Sequence, residues 1–535
     1  MKKLVIILLL ASFACERKPK TEIAAWQPYN ESQELAANQD HESVRMRYKL
    51  IQSKVTDKND IWATVADQIA YFSEEDYQKL EPLILNQDIP TLQNHVKSGA
   101  LSYELLTQWY LHRIVKYEND RNTMLNAIIA LNPDAVEIAK QRDKEAAEDN
   151  PPIFGIPVLL KDNINTVGMN TTAGTELLKN NQTPDAYIVE RLKDKGAIIL
   201  GKTNLSEWAN YLCLECPNGY SAAGGQTLNA YGRKKFDTGG SSSGSGVAMA
   251  ANYAAAAVGT ETSGSILSPS SASSLVGLKP TTGLLSRSGI VPLSSTLDTP
   301  GPMTRTVVDN AIMMDAMQGK DEEDPASSGN PESKMYMQNL EKGSLRGLKL
   351  GINKNLLTDS IYKITVTKLK ALGAETIEFE PEQPDFGGFV DLLNADMRVD
   401  LPAYINKYAK DAVKVNNIED IIAYNKQDST VRIPYGQGRF EGMLVTDLTE
   451  TELQELKDRL KKEGMRFFET PMQKHDLDAV LSINNYYAGY AAAAQYPCLT
   501  VPMGYTDDGE PKGLTFIARP YEEDKLLKMG YAFEQ

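Results

Sequence analysis

Two serine-bearing stretches and one lysine stand where this chain could do covalent chemistry. Ser241 and Ser242 lie in the run Gly239-Gly240-Ser241-Ser242-Ser243-Gly244, Ser265 ends Thr262-Ser263-Gly264-Ser265, and Lys161 follows the apolar run Ile153 to Leu160. A stretch made mostly of Gly, Ser, Ala and Thr usually reads as a flexible linker. Here apolar Val247 to Ala251 and Leu275 to Leu278 interrupt it, which predicts a buried helix and strand holding two tight, hydroxyl-bearing turns together, with small residues at the close approaches.

A serine hydroxyl attacks only when a base removes its proton, and histidine usually fills that role. The four histidines, His41, His95, His112 and His475, are scattered and lie far in sequence from both turns. That leaves Lys161. Burial disfavours an ammonium, and lowering its pKa from about 10.4 to 7 or 8 takes about 3 units, roughly 4 kcal/mol of differential solvation. The alternative for Lys161 is a surface ion pair with the adjacent Asp162. Gly240 to Gly244 also satisfies G-x-S-x-G, centred on Ser242, but that pattern needs an acid and a histidine downstream, where only His475 is available. A phosphate-cradling loop fails because no G-K-[ST] comes after it.

The runs GGSSSGSG, GTETSGSILSPSS and GLKPTTGLLSRSGIVPLSSTLDTPGPMTRTV resemble the signature region of the amidase signature hydrolases, most of all the peptide amidase branch. Similarity continues in Gly155 to Asn163, Gly201 to Asn210 and Tyr496 to Gly504, and covers roughly residues 86 to 535 apart from a stretch around 350 to 470. The resemblance implies a Ser-Ser-Lys triad in which Ser265 attacks, Ser241 relays the proton and Lys161 accepts it, the two serines standing 24 positions apart (265 − 241). It further implies a cis peptide bond between Gly240 and Ser241, an oxyanion hole from the N–H groups of Thr262, Ser263, Gly264 and Ser265, and Ser242 as a hydrogen-bonding support for the lysine. Position 263 departs from the family pattern, which usually has Gly or Asp there.

The same resemblance implies an α/β fold with a central mixed sheet covered by helices on both faces, and hydrolysis of linear amides without metal or cofactor. The turn around Ser265 and the run Ser206-Glu207-Trp208-Ala209-Asn210 resemble enzymes that remove the C-terminal carboxamide of peptides. Aryl-acyl or fatty acid amides are the alternative substrates within the family, and a non-catalytic surface-binding lipoprotein is the alternative outside it. Leu267 stands where the tRNA-dependent amidotransferase subunit typically carries Arg.

These residues need a frame. Ile153 to Leu160 and Ala197 to Gly201 read as buried strands, a helix of about three turns should start near Ser243, and a strand should return through Ala254 to Val258. Ser102 is a predicted N-cap for a core helix through Tyr110, Ile114 and Tyr117. Lys320 to Arg346 reads as an exposed connection, leading to strands around Leu348 to Ile352 and Ala374 to Phe379 with a helix from Thr365 to Leu372 between them. Residues 16 to 85 read as a helical extension of two or three short helices, with Trp26, Tyr48, Leu50, Ile51, Trp62, Val65, Ile69 and Tyr71 at helical intervals. The remainder, 86 to 535, reads as one elaborated domain.

The chain has 535 residues with a net charge of −15 and no long Lys/Arg run, which argues against a nucleic-acid partner. Met1-Lys2-Lys3, apolar Leu4 to Leu10 and Ala11 to Cys15 have the order of an export signal. Cys15 resembles the lipidated cysteine of a bacterial lipoprotein, so residues 1 to 15 predict an exported, membrane-anchored protein, with a soluble secreted or periplasmic form as the alternative. Of the other three cysteines, Cys213 and Cys216 read as two isolated small residues in a loop, a disulfide being the alternative, and Cys498 is left over.

Overall fold

The computed structural model describes residues 20–327 and 334–535. The predicted export signal and Cys15 lie outside the described residues. One mixed sheet of 11 strands organises the chain. In chain order they are β1 (Ile128–Leu131), β2 (Pro157–Lys161), β3 (Ile198–Thr203), β4 (Ala256–Glu261), β5 (Val276–Lys279), β6 (Thr299–Thr304), β7 (Lys349–Asn353), β8 (Glu375–Phe379), β9 (Ala479–Ile483), β10 (Cys498–Tyr505) and β11 (Pro511–Ile517). Across the sheet they run β1-β3-β2-β4-β6-β5-β10-β11-β9-β7-β8. The β3-β2-β4 segment is parallel and completely buried. This explains its continuous apolar runs, because a strand covered on both faces has no polar side to show.

Helices pack against the sheet, and local signals set their ends. Ser102 caps Tyr103–Glu118 by accepting the Leu105 N–H at 3.1 Å. Thr449 and Glu452 form a capping box at the start of Glu450–His475. The helix after the first serine run, Ser243–Ala250, has 8 residues. It is about two turns long, shorter than the sequence suggests. The strand read from Ile153 begins only at Pro157, after a turn.

Three short helices, Ser32–Ala36, Lys58–Ala63 and Glu74–Ile84, lie in the N-terminal stretch. Its Trp26, Tyr48, Ile51, Trp62, Val65 and Ile69 join the same core as the sheet. Tyr71 faces solvent instead, at 61% exposure, so apolar spacing overestimates the buried set there. The connection from Lys320 to Arg346 also differs from expectation. Asp321 and Asp324 are buried, taking bonds from Ser286 and Arg287, while Tyr336, Leu340 and Leu345 enter the core. Polar composition misleads at that point because the carboxylates have internal partners.

The stretch without recognisable family features builds the wall opposite the site. Helices Phe389–Tyr404, Ile418–Gln427 and Gly438–Val445 bury Leu393, Met397, Tyr404, Ile421 and Phe440 against Trp208, Leu212, Val291 and Leu293. This second core includes Cys213 and Cys216, which form a disulfide and are not two isolated loop residues.

Candidate active site

Lys161 is the last residue of β2 and has no exposed surface. Its Nζ lies 2.7 Å from Ser241 Oγ, 2.8 Å from Thr260 Oγ1 and 3.2 Å from the Thr260 carbonyl. The ion pair with Asp162 does not form. Successive side chains on a strand point to opposite faces, and Asp162 meets Lys202 of β3 at 3.1 Å, both fully buried, while also accepting from the Thr172 hydroxyl. Burial pushes the Lys161 ammonium down to about 7, with the Asp298 and Glu261 carboxylates opposing the shift. A neutral amine next to a hydroxyl accepts its proton.

The two serine turns are tied by their backbones. The Ser242 N–H donates to the Ser265 carbonyl at 3.2 Å, and the Ser206 N–H donates to the Ser241 carbonyl at 3.0 Å. The Gly240–Ser241 peptide bond is cis. Gly240 is glycine for a packing reason: a Cβ there would stand 2.6 Å from Ser206 Oγ. Ser206 opens the Ser-Glu-Trp-Ala-Asn run, which thus cradles the first serine turn. Ser265 is 9% exposed, and its Oγ makes no hydrogen bond among the described residues. Lys161 and Ser241 are in direct contact, and Ser265 joins them through the backbone of its turn.

Nothing among the described residues accepts from the N–H groups of Thr262, Ser263, Gly264 and Ser265. The next two do have an acceptor: Glu261 takes the Ile266 N–H at 2.7 Å and the Leu267 N–H at 3.0 Å. Gly264 turns the chain at φ +92°, and a Cβ there would meet Asn485 Nδ2 at 2.7 Å. Four consecutive N–H groups are thus left without an acceptor among the described residues.

Ser242 supports the lysine at one remove. Its Oγ donates to the Thr260 carbonyl at 3.0 Å and accepts the Thr260 N–H at 3.2 Å, so it fixes Thr260, which in turn receives Lys161. This engagement, and the position of His475 at the end of a distant helix, remove the G-x-S-x-G reading centred on Ser242. Thr260, Asn163, Glu261 and Asp298 also belong to the site; they lie inside the runs that resemble the family, but nothing in the sequence singles them out there. Thr262 Oγ1 donates to Asp298 at 2.5 Å, and Asp298 also accepts the Leu293 and Ser294 N–H groups. Burial raises the pKa of that carboxyl.

A cavity of about 410 Å³ opens beside Thr260 and Thr262, bounded further by Asn163, Asp298, Asp400 and Tyr404. Ser241 and Ser265 are not on its wall, so it approaches them through Thr260 and Thr262. Among the described residues no group of three or more His, Cys, Asp or Glu is placed to hold a metal ion.

A mixed α/β sheet that buries an unpaired lysine against two serine turns defines a hydrolase-type centre built without histidine. The chain matches the Amidase family over residues 105–527. It is 37% identical over 457 residues to a probable amidase of Arabidopsis thaliana, covering 81% of this chain and 87% of the plant protein. An amidase family protein of Bacillus anthracis superposes with a TM-score of 0.86 at 37% identity, over 91% of this chain and 98% of that one. The native peptide amidase of Stenotrophomonas maltophilia does so with a TM-score of 0.80 at 38% identity, over 84% and 97%. The chain therefore belongs to the amidase family and is an amide hydrolase.

Proposed function

We propose that the protein cleaves linear amides through an acyl-enzyme on Ser265, and that its substrates are peptides ending in a carboxamide. The observation that carries the reading is the 2.7 Å contact of Lys161 Nζ with Ser241 Oγ, in a pocket where the lysine has no carboxylate partner. Ser241 gives its proton to neutral Lys161 and takes the proton of Ser265, whose Oγ then bonds to the amide carbon. The carbonyl oxygen becomes an oxyanion facing the open N–H groups of Thr262 to Ser265. Removing one donor of such a set costs on the order of a hundred- to thousandfold in rate. The proton held by Lys161 returns through Ser241 to the nitrogen, which departs as ammonia. Water then repeats the sequence on the ester, releasing the acid and restoring Ser265.

Leaving-group size favours carboxamides. Lys161 and Ser241 have no exposed surface and Ser265 has 9%, and so closed a centre favours a small NH2 leaving group over an extended chain. The cavity lies to one side and suits an acyl chain. The likeness to a peptide amidase supports the same choice. Incubation with the amidated and free-acid forms of one peptide, an anilide and a fatty amide decides it. Ammonia from the amidated peptide alone is expected. Product only from the anilide or the fatty amide, or internal peptide fragments, would overturn the carboxamide assignment while leaving the Ser265 chemistry open.

Export with a lipid on Cys15 is part of the same proposal and rests on the signal-like order of residues 1 to 15. Mass spectrometry of the native N-terminus should find an acylated Cys15. A start elsewhere without lipid would remove the anchor.

A further inference from the structure

The cavity beside the Thr260–Thr262 turn carries an unbalanced charge. Two cations face it and both are engaged. Arg287 pairs with Asp324 at 2.5 Å and also donates to the Ser295 carbonyl, and Lys407 pairs with Glu323 at 2.8 Å. Two further carboxylates on the wall, Asp298 and Asp400, have no ion pair among the described residues. Asp298 is occupied by Thr262 Oγ1 and two backbone N–H groups. Asp400 accepts one backbone bond, the Ser295 N–H at 2.6 Å, and keeps part of its surface open.

A second observation points to a ligand there. Asn163 is 2% exposed and lines the same cavity; its Nδ2 donates to Thr260 Oγ1 at 2.9 Å, while its Oδ1 has no hydrogen-bond partner. A buried acceptor without a donor costs free energy unless something supplies one. Asp298 and Asp400 take the N–H groups of the consecutive residues Ser294 and Ser295, so a short ladder runs from Thr262 through Asp298 to Asp400. Asp400 shares the cavity wall with Thr260 and Thr262 of the turn that carries Ser265, so an acyl chain lying in that cavity runs from the scissile carbonyl past Asp400.

We propose that Asp400, which lines the same cavity as Asn163, binds a positive charge on the acyl side of the substrate, such as the free α-ammonium of a short peptide amide or a basic side chain near its C-terminus. The proposal rests on the amide-hydrolase reading and deepens it. Asp400 selects substrates and does not touch the reacting atoms. Asn163 Oδ1 accepts an N–H from the same chain. Charge-assisted hydrogen bonds in a partly closed site support a preference of about ten- to a hundredfold.

The test separates binding from turnover. Alanyl-phenylalaninamide and its N-acetyl form are titrated calorimetrically at pH 6.5, where the α-ammonium of about pKa 7.7–8.0 is protonated, into Ser265→Ala protein that cannot turn them over. The free amine is expected to bind at least tenfold more tightly, and adding Asp400→Asn should bring the two affinities together. Each affinity ratio comes from one preparation, so partial misfolding does not bias it. Equal affinities, tighter binding of the acetylated form, no binding of either, or a gap that survives Asp400→Asn would overturn the proposal. Turnover of the same pair by the active enzyme reports separately on the carboxamide reading. Strong binding of the free amine without ammonia release would defeat that reading and leave the charge selection standing.

Discussion

Lys161 and Lys202 sit on adjacent parallel strands, both without exposed surface, yet they meet opposite kinds of partner. Lys202 is neighbour to Leu160 in the register and meets Asp162 at 3.1 Å. Lys161 points to the other face and finds hydroxyls and a carbonyl. Burial lowers the pKa of both, and for Lys202 the Asp162 carboxylate pulls back. Equal burial therefore does not decide function. The partner does: Asp162 opposes the loss of charge on Lys202, whereas Lys161 beside Ser241 has no carboxylate in contact and is the base in the proposed mechanism.

The contrast between the lysines is broken most severely by removing the base or the nucleophile. Ser265→Ala and Lys161→Met should each lower kcat/KM on the order of a thousandfold or more near neutral pH, measured by ammonia release. The lysine variant should recover part of its rate at high pH, where hydroxide ionises more serine. Asp162→Asn attacks the other lysine. It strands a buried ammonium, which typically costs about 3–5 kcal/mol of stability, and a thermal scan should show a large fall in Tm. If Asp162→Asn instead behaves as a pure activity variant, the division of labour between the lysines is wrong.

Lys161→Met sharpens the contrast from the stability side. The folded pKa of about 7 lies below the ordinary lysine value of 10.5, so wild type is destabilised fully below pH 7. The unfolded chain binds the extra proton between about 7 and 10.5, and the penalty fades as pH rises through that window. The variant should therefore be more stable than wild type at pH 6, with the advantage shrinking towards pH 10 in denaturant titrations. The smallest effect belongs to Ser242→Ala. Losing its hydroxyl leaves the Thr260 N–H unpaired, at about 1–3 kcal/mol, with a moderate loss of kcat through the lysine it helps to hold. An unchanged Tm and kcat would remove Ser242 from the support of the site.

The two turns and the buried strands at Lys161 and Lys202 are legible in the sequence because local composition specifies them: small residues at close approaches, apolar runs where both faces are covered. What Lys161 pairs with is not. Asp162 is its neighbour in sequence but points to the opposite face, so adjacency suggests a contact that the pleat forbids. Thr260 and Asp298 stay hidden because their roles arise from backbone registers and from a loop more than thirty positions onward. The polar stretch 320 to 346 misleads for the same reason, since Asp321 and Asp324 find partners in Ser286 and Arg287, more than thirty positions back in the chain. The stretch around 350 to 470 offers no motif at all, and it supplies Asp400 and Tyr404 to the cavity.

The most direct test is the rate at which a serine-reactive fluorophosphonate labels the protein as a function of pH, with the label mapped by mass spectrometry. The label should fall on Ser265, and the labelling rate should rise to half its plateau near pH 7, tracking the deprotonation of Lys161. In Lys161→Met the rate should drop on the order of a thousandfold and grow in proportion to hydroxide. Labelling on Ser242, or a wild-type pH profile in Lys161→Met, would contradict the assignment of the unpaired lysine as the base.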